Sequence, residues 1–315
     1  MIEIGFGTDA LYAPHLAATI RSIRDSSGSE GIRVHIAHDG LDVTLRRRIE
    51  KAAPGFVYNW LHVPDESIRN LAGKGRFAKS AYYRLALPDL LPHVDRLIYL
   101  DCDLVVCQDL AVLWDLPMTQ PLAAVADGFA DAAAFRDRWS LPHDGSPAYF
   151  NTGVLLLDLQ ALRSNRRFDA ALEFLTRNLD DCPYVDQDAI NATCWDHIQP
   201  IHVAWNVQRN MLIDDAWKPA ANPGTPLGRT AYVVHFTTEH KPWLPNTYHP
   251  YAWLYWKALG PTDFYPEVVR RSGITPLMQI RLFLRWQRWR LALRPWPPEP
   301  ATRTTPKRRK ALRPA

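Results

Sequence analysis

The stretch RLIYLDCDLVV, residues 96–106, decides the fold. Its aliphatic and β-branched flanks predict one buried β-strand, which Asp101 and Asp103 interrupt. Residues two apart in a strand face the same side, so these two side chains should point together while Cys102 points away. A buried carboxylate is costly unless it is paired or binds a metal ion. Two of them side by side therefore favour a divalent cation, although an isolated D-x-D also arises by chance in solvated turns.

Strand-like and helix-like patterns alternate on both sides of this stretch. Strands are predicted at residues 2–7, 32–39, 56–63, 122–127, 149–159 and 231–236. Helices are predicted at residues 12–25, near 45–49, at 80–87 where Pro88 should end the helix, and at 166–179 and 186–194. Such alternation predicts an α/β fold with a mostly parallel central sheet and flanking helices, whose ligands gather at the carboxyl edge of the strands.

Composition narrows the class of protein. The 315 residues are 47% hydrophobic, which is enough for a large buried core. No apolar run reaches about 18 residues, and the acidic start MIEIGFGTDA is unlike a secretion signal. The four cysteines show no C-x-x-C spacing, which favours free thiols in a reducing compartment. We therefore expect a cytoplasmic protein.

The stretch VVHFTTEHKPW, residues 233–243, adds a second group of candidate ligands. His235 ends a predicted strand, and a neutral imidazole beside two carboxylates shifts the metal preference from Mg²⁺ toward Mn²⁺. Lys241 could hold a phosphate as a point charge. Taken singly, His235 could equally be a core histidine and Lys241 a solvated lysine. Together with the D-x-D they indicate a metal–diphosphate site.

Two further stretches carry polar residues at unusual places. In YFNTGVLLLDL, Asn151 and Gly153 interrupt a good strand, which indicates either a bulge or an amide facing a ligand. In YVDQDAIN, Asp186 would suit a helix N-cap and Asp188 the first helical turn. Capping accounts for both acids but leaves Gln187 without an explanation.

The D-x-D after an apolar strand, F-N-x-G-V-x-L-x-x-L, D-Q-D-x-x-N and H-x5-K-P-W follow one another between about residues 2 and 243. In this order and spacing the chain resembles the family 8 retaining glycosyltransferases, in particular the bacterial enzymes that build lipopolysaccharide and lipooligosaccharide cores with galactose or glucose. The resemblance implies the GT-A fold, UDP-glucose or UDP-galactose as donor, and Mn²⁺, with Mg²⁺ as the alternative. It also implies a saccharide or lipid-linked glycan as acceptor.

Residue roles follow from the same resemblance. The implied metal ligands are Asp101, Asp103 and His235. The implied donor contacts are Gly7, Thr8, Asp9, Arg84, Asp101, Cys102, Asp103, Thr238 and Lys241, with the first three nearest the base and Lys241 on the diphosphate. The implied residues around the transferred sugar are Asp127, Asn151, Gln187 and Asp188. Retention requires either a covalent intermediate or attack on the same face of the sugar; we favour same-face attack, with Gln187 positioning the sugar.

The chain departs from the family pattern at two places. Thr238 stands where the family usually has a glycine, and a Cβ there alters the approach to the phosphate. Ala10 and Leu11 replace an acid and an asparagine of the first loop, so we expect fewer contacts with uridine.

The C-terminal part differs in charge from the rest. Residues 270–315 hold 13 of the 37 Lys and Arg but one of the 33 acids. We predict a catalytic domain at 1–265, a basic and aromatic helical membrane-association segment at 266–294, and a disordered Pro-, Arg- and Lys-rich tail at 295–315. The helix should begin at Thr275-Pro276. Its predicted apolar face comprises Met278, Leu282, Trp286, Trp289 and Leu293.

Arginine with tryptophan is typical of interface helices on anionic lipid, which predicts a peripheral protein on the cytoplasmic face of the inner membrane. The alternative is a helix docked on the body. Rival functions are nucleic-acid binding through the basic tail, which the acidic body disfavours, and a non-catalytic relative that binds sugar nucleotides. Hydrolysis or pyrophosphorylation of a nucleotide-sugar would use the same metal site.

Overall fold

The computed structural model describes residues 1–27, 31–64, 71, 79–127, 130–142, 148–213, 231–245, 247 and 249–291. Ten strands lie in that part of the chain: β1 Ile2–Gly7, β2 Ile32–His38, β3 Val57–His62, β4 Arg96–Leu100, β5 Leu104–Val106, β6 Leu122–Ala126, β7 Phe150–Asp158, β8 Ile198–Pro200, β9 Val207–Gln208 and β10 Val233–His235. The α-helices there are α1 Ala13–Ser26, α2 Val43–Glu50, α3 Tyr83–Leu90, α4 Ala111–Trp114, α5 Ala132–Arg138, α6 Leu159–Asn165, α7 Arg167–Asn178, α8 Asp186–Thr193, α9 Arg209–Ile213, α10 Ala252–Leu259, α11 Tyr265–Ser272 and α12 Pro276–Arg290.

A seven-stranded sheet with the order β3-β2-β1-β4-β7-β6-β8 forms the centre of the fold. All neighbouring strands are parallel except that β7 runs antiparallel to β4 and β6. Successive residues of β4 enter different cores, because Leu97 and Tyr99 join one buried cluster while Ile98 and Leu100 join the other. Both faces of the sheet are therefore covered, which confirms the predicted α/β fold with a mostly parallel sheet.

Residues 96–106 form two strands in different sheets instead of the single predicted strand. β4 lies in the large sheet, whereas β5 belongs to a small sheet with the order β5-β10-β9. The Asp101 N–H still donates to the carbonyl of Gly153 in β7, but the Asp103 carbonyl already accepts from the N–H of Phe236, which follows β10. The Thr19 hydroxyl lies within hydrogen-bond distance of the carbonyl oxygens of Cys102 and Leu104, which flank Asp103. The chain thus changes sheets at the two carboxylates.

Helix α3 continues past Pro88, which was predicted to end it. The Leu91 N–H still donates to the Leu87 carbonyl, so the last turn closes beyond the proline. The guanidinium of Arg163 bonds the carbonyl oxygens of Pro88, Leu91 and Val94. These hydrogen bonds from Arg163 satisfy carbonyl oxygens at the end of the helix and offset the free-energy cost of a proline in the helix interior.

Helix α12 begins at Pro276, as predicted, and packs one side on α10. Phe283 meets Trp253 edge to face with ring centroids 5.3 Å apart, and Leu282 and Trp286 are half-buried against the main core. Leu282 and Trp286, two members of the predicted apolar face, therefore pack on the body, as in the alternative of a docked helix, whereas Met278 of the same face is 50% exposed. The outward apolar stripe consists of Leu277, Ile280, Leu284 and Leu291, which are 51–58% exposed.

The predicted domain boundary near residue 265 coincides with the start of α11, whose Val268 is buried in the main core. The division into catalytic and membrane-association segments remains a prediction. The predicted tail at 295–315 lies outside the described residues. Among the helices that the structure describes, none combines the length and the hydropathy needed to cross a bilayer.

Candidate active site

The strand order brings the predicted site residues to one edge of the large sheet. The carboxyl ends of β1 and β4 point to this edge, and β7 begins there because it runs in the opposite direction, with Leu100 paired to Val154. β6 ends beside β7, with Ala126 paired to Phe150, so Asp127 reaches the same edge. A cleft of about 740 Å³ opens here.

Three candidate metal ligands meet in the middle of the cleft. Oxygens of Asp101 and Asp103 and a ring nitrogen of His235 all lie within 4.8 Å of one another. His235 Nε2 is 3.3 Å from Asp103 Oδ1 and 3.7 Å from Asp101 Oδ2. Two carboxylates and one imidazole suit a divalent cation such as Mn²⁺, so the residues present fit the predicted ion.

The second oxygen of each aspartate is held by a cationic side chain. Asp101 Oδ1 accepts from Arg84 Nη2 at 2.7 Å and from the Tyr99 hydroxyl at 3.1 Å. Asp103 Oδ2 accepts from the Lys241 ammonium. Burial by itself would raise the pKa of Asp103, but Lys241 and His235 bring that pKa well below its usual range. The Asp103 carboxylate is therefore held ionised, and these partners orient both carboxylates.

Gly153 explains why the strand β7 carries a glycine beside this site. A Cβ on residue 153 would lie 2.2 Å from His235 Cε1 and 2.9 Å from Asp101 Oδ2. The imidazole ring thus rests directly on the glycine backbone. The β6–β7 pairing also shifts register between Ala124 and Val125, so a strand irregularity and a close approach are both present.

A second polar cluster lies on the other side of the cleft. Asn151 Nδ2 donates to Asp127 Oδ2 at 3.2 Å and to Gln187 Oε1 at 3.1 Å. Gln187 Nε2 donates to the same Asp127 oxygen at 3.3 Å. The three side chains line the cleft together, as the sequence predicted. Their sugar-binding roles stay predictions.

Asp188 lies behind this cluster and does not line the cleft. Its carboxylate accepts from the Tyr149 hydroxyl and from the Tyr184 N–H, and the residue is 2% exposed. Asp188 thus supports the start of α8 instead of facing the cleft. Both of its oxygens are turned to these two donors, and its predicted place around the transferred sugar stays a prediction.

Asp186 opens helix α8 as its first residue and not as its N-cap. The N-cap is Val185, whose φ of 43° lies in the left-handed region that β-branched residues avoid. Burial raises the pKa of Asp186 to about 7, although Arg84 opposes that rise. Asp186 Oδ2 lies 2.9 Å from Arg84 Nε. Arg84 therefore bridges Asp186 and Asp101, and all three residues line the cleft.

The first loop is only partly exposed to the cleft. Gly7 lines it, whereas Thr8 is fully buried. Asp9 accepts from the Tyr12 N–H at 3.0 Å and from the Ser80 hydroxyl at 2.8 Å, so both of its oxygens have partners. Cys102, predicted to point away from the aspartates, lines the cleft and donates to the Gly7 carbonyl at 3.2 Å.

Thr238 lines the cleft with a φ of 65°. This left-handed conformation is the one that glycine adopts without cost, which agrees with the glycine expected at this position. Threonine holds the conformation here at a cost in backbone strain. The strain lies in the loop between His235 and Lys241.

Several lining residues were not predicted. Tyr12, His15 and Trp243 form an aromatic wall, in which the His15 and Trp243 rings stack with centroids 3.6 Å apart. Trp243 was visible in the K-P-W motif, but no local pattern marks His15. Val268 and Arg271 of α11 also line the cleft, so the basic C-terminal part contributes to the site.

Comparison with known proteins assigns the family. The protein-family model described as "Glycosyl transferase family 8" matches residues 3–247 of this chain. The chain belongs to glycosyltransferase family 8. Among similar proteins, this glycosyltransferase is 28% identical over 258 residues to the general stress protein A of Bacillus subtilis, covering 77% of this chain and 87% of that protein. It is 24% identical over 280 residues to the lipopolysaccharide 1,2-glucosyltransferase of Escherichia coli, covering 83% and 81%.

Solved structures support the fold. The galactosyltransferase LgtC, in complex with donor and acceptor sugar analogs, superposes with a TM-score of 0.73 at 23% identity. The match covers 86% of this glycosyltransferase and all of LgtC. The WbbM bifunctional glycosyltransferase gives a TM-score of 0.68 at 19% identity, over 87% of this chain and 51% of WbbM. These likenesses confirm the predicted GT-A fold.

Proposed function

We propose that this chain is a metal-dependent, retaining hexosyltransferase that moves glucose or galactose from a UDP-sugar to a saccharide or lipid-linked glycan. Its pathway would be the synthesis of lipopolysaccharide or another cell-surface glycan. The observation that carries the proposal is the convergence of Asp101, Asp103 and His235 beside Lys241, with the Asp127–Asn151–Gln187 cluster across the same cleft. One group suits a metal and a diphosphate, and the other suits the hydroxyls of a sugar.

At the diphosphate end, the chain supplies ligands and a fixed cation. Asp101, Asp103 and His235 would hold Mn²⁺, or Mg²⁺, which when bound supplies Lewis-acid stabilisation of the departing UDP. Lys241 lies next to Asp103 and would pair with a phosphate oxygen. This pairing strengthens as negative charge grows on UDP, which is the condition for lowering the barrier.

At the sugar end, the polar cluster would orient the hexose. The Gln187 amide oxygen already accepts from Asn151 and from the Thr152 N–H at 3.3 Å, and an amide oxygen is a weak nucleophile. Asp127 is the carboxylate of the cluster that lines the cleft. We therefore keep same-face attack as the route to retention. A glycosyl adduct on Asp127 or Asp188, found by mass spectrometry after incubation with donor, would contradict it.

The test is a thermal-shift and UDP-release screen with UDP-glucose and UDP-galactose, each with and without Mn²⁺. Wild type should be stabilised and should release UDP only with metal, and Asp103→Ala should lose both responses. Asp263→Ala, at an exposed aspartate of the surface pair with Lys51, is the matched control. No response of wild type to any donor would refute the proposal. Release of free sugar without acceptor would indicate hydrolysis.

We also propose that α12 docks the enzyme on the cytoplasmic face of the inner membrane. The outward stripe of Leu277, Ile280, Leu284 and Leu291 lies beside the exposed Arg281 and Arg288. Apolar side chains flanked by arginines suit the surface of an anionic bilayer. The opposite side of the helix is already packed on the body, so docking requires no unfolding.

Flotation with vesicles that contain an anionic phospholipid tests this docking. Ile280→Asp and Leu284→Asp place a negative charge in the outward stripe and should abolish flotation. Val112→Asp changes an equally exposed apolar residue on the body and should float as wild type does. Unchanged flotation of both stripe variants would contradict membrane docking through this face.

A further inference from the structure

A buried chain of hydrogen bonds links the candidate metal ligand His235 to the sugar-side amide Asn151. His235 Nδ1 lies 2.9 Å from Asn206 Oδ1, and Asn206 Nδ2 lies 2.7 Å from Asn151 Oδ1. The same Asn151 oxygen accepts from the Gly153 N–H at 3.0 Å. Asn206 is completely buried, and no sequence motif marked it.

The polarity of this chain follows from the backbone. The Gly153 N–H can only donate, so the Asn151 atom that faces it is the amide oxygen. Asn206 must then present its NH₂ group to that oxygen, which leaves its own oxygen facing His235. A carbonyl oxygen only accepts, so the proton of the imidazole lies on Nδ1. His235 Nε2 is therefore the ring nitrogen left for a metal ion, and it lies 3.3 Å from Asp103 Oδ1 and 3.7 Å from Asp101 Oδ2.

The secondary structure fixes Asn206 in this place. It ends the short 3-10 helix Val203–Asn206 and directly precedes β9. β9 and β10 are parallel, with Gln208 paired to His235. Asn206 does not line the cleft, so it acts on the site only through its neighbours.

We propose that Asn206 is a positioning residue that sets His235 for metal binding and at the same time orients the Asn151 amide toward the sugar. This inference rests on the proposed metal-dependent transfer. A histidine ligand needs a partner for its second nitrogen, which fixes the tautomer and the ring orientation. Asn206 supplies that partner with its oxygen.

The other arm of Asn206 acts on the sugar side. Because the Asn151 oxygen is bound by Asn206 and Gly153, the Asn151 NH₂ group is turned to Asp127 and Gln187. A flipped Asn151 would place its oxygen against the Asp127 carboxylate and the Gln187 oxygen, which repel it. One buried amide thus keeps both halves of the cleft in their working orientation.

The first experiment measures the Mn²⁺ dissociation constant by electron paramagnetic resonance of the free ion. Asn206→Leu removes both arms and should weaken Mn²⁺ binding by about 10- to 100-fold, the usual effect of losing such a partner. Asn206→Asp keeps an acceptor for His235 Nδ1–H, so its Mn²⁺ dissociation constant should stay close to that of the wild type. Asn59→Leu is the matched control, because Asn59 also bonds a histidine nitrogen, in His35 at 3.0 Å, outside the cleft.

A second readout needs neither metal nor turnover. Nitrogen-15 spectra of the metal-free wild type should show His235 carrying a proton on Nδ1. A bare His235 Nδ1 overturns the inference, as does Mn²⁺ binding by folded Asn206→Leu at the wild-type affinity. If Asn206→Leu does not fold, the tautomer and the Asn206→Asp affinity decide. Failure of wild type to bind Mn²⁺ would contradict the proposed function, whereas the tautomer would still test the role of Asn206.

Discussion

Replacing Gly153 with alanine should destroy metal binding while the fold survives. The new Cβ would lie 2.2 Å from His235 Cε1 and 2.7 Å from Nδ1, whereas ordinary contact begins at 3.4 Å. The imidazole must therefore withdraw by roughly 1.2 Å, while metal–ligand distances tolerate about 0.2 Å. The ring has no room to keep both its bond to Asn206 and its approach to the aspartates. Overpacking of this kind also costs about 1–3 kcal/mol of stability.

The assay is a Mn²⁺ titration with parallel thermal unfolding. Gly153→Ala should unfold somewhat earlier and show no measurable Mn²⁺ binding. Gly5→Ala is the matched control, since its Cβ would lie 2.7 Å from Leu97 Cδ2 and meets leucine methyl groups instead of the site. It should lose a similar amount of stability and keep its metal affinity. Wild-type Mn²⁺ affinity in folded Gly153→Ala would refute the close packing of His235 on residue 153.

Three further changes have defined outcomes. Thr238→Gly should raise the free energy of unfolding by about 1 kcal/mol because it relieves the left-handed φ, whereas Thr237→Gly should lower it; chemical denaturation checks both. The Asp186 pKa of about 7 exceeds its unfolded value of 3.8, so its contribution to stability is full below pH about 4 and lost as pH rises through 7. Asp186→Asn should therefore flatten the fall in melting temperature between pH 5 and 8. Lys241→Met should strengthen Mn²⁺ binding without UDP, because the ammonium no longer competes for Asp103, and should weaken UDP binding in calorimetry.

Local patterns predicted the fold class and the candidate metal–diphosphate site, and the family resemblance supplied most of the other cleft residues. The periodicity of β1, β2 and β7 and the spacing of Asp101, Asp103 and His235 survive into the structure with small shifts at element ends. The break after Leu100 could not be predicted from the sequence, because it depends on which distant strand the backbone joins. The apolar residues on both sides of the break give the same sequence pattern whether they belong to one strand or to two strands in different sheets.

Other features needed the tertiary structure for the same reason. Asn206 stands in an unremarkable stretch, and only the parallel pairing of β9 with β10 places it against His235. Val268 and Arg271 lie far along the chain from every motif and reach the cleft through the packing of α11. The outward face of α12 depends on how the helix is rotated on α10, which helical periodicity leaves open.

The charges of the cleft explain why two aspartates are stable at this edge of the sheet. Asp101 gives one oxygen to Arg84 and Asp103 gives one to Lys241, so two protein cations offset two carboxylates before any ligand arrives. Arg84 is buried and held by Asp101 and the Thr152 carbonyl, whereas the Lys241 ammonium lies at the end of a long side chain in the cleft wall, where it also donates to the Phe236 carbonyl. A diphosphate would draw the ammonium of Lys241 away from Asp103, and the freed oxygen would be available to a metal ion. Under the proposed function, donor and metal therefore each favour the binding of the other, and by linkage the two effects are equal.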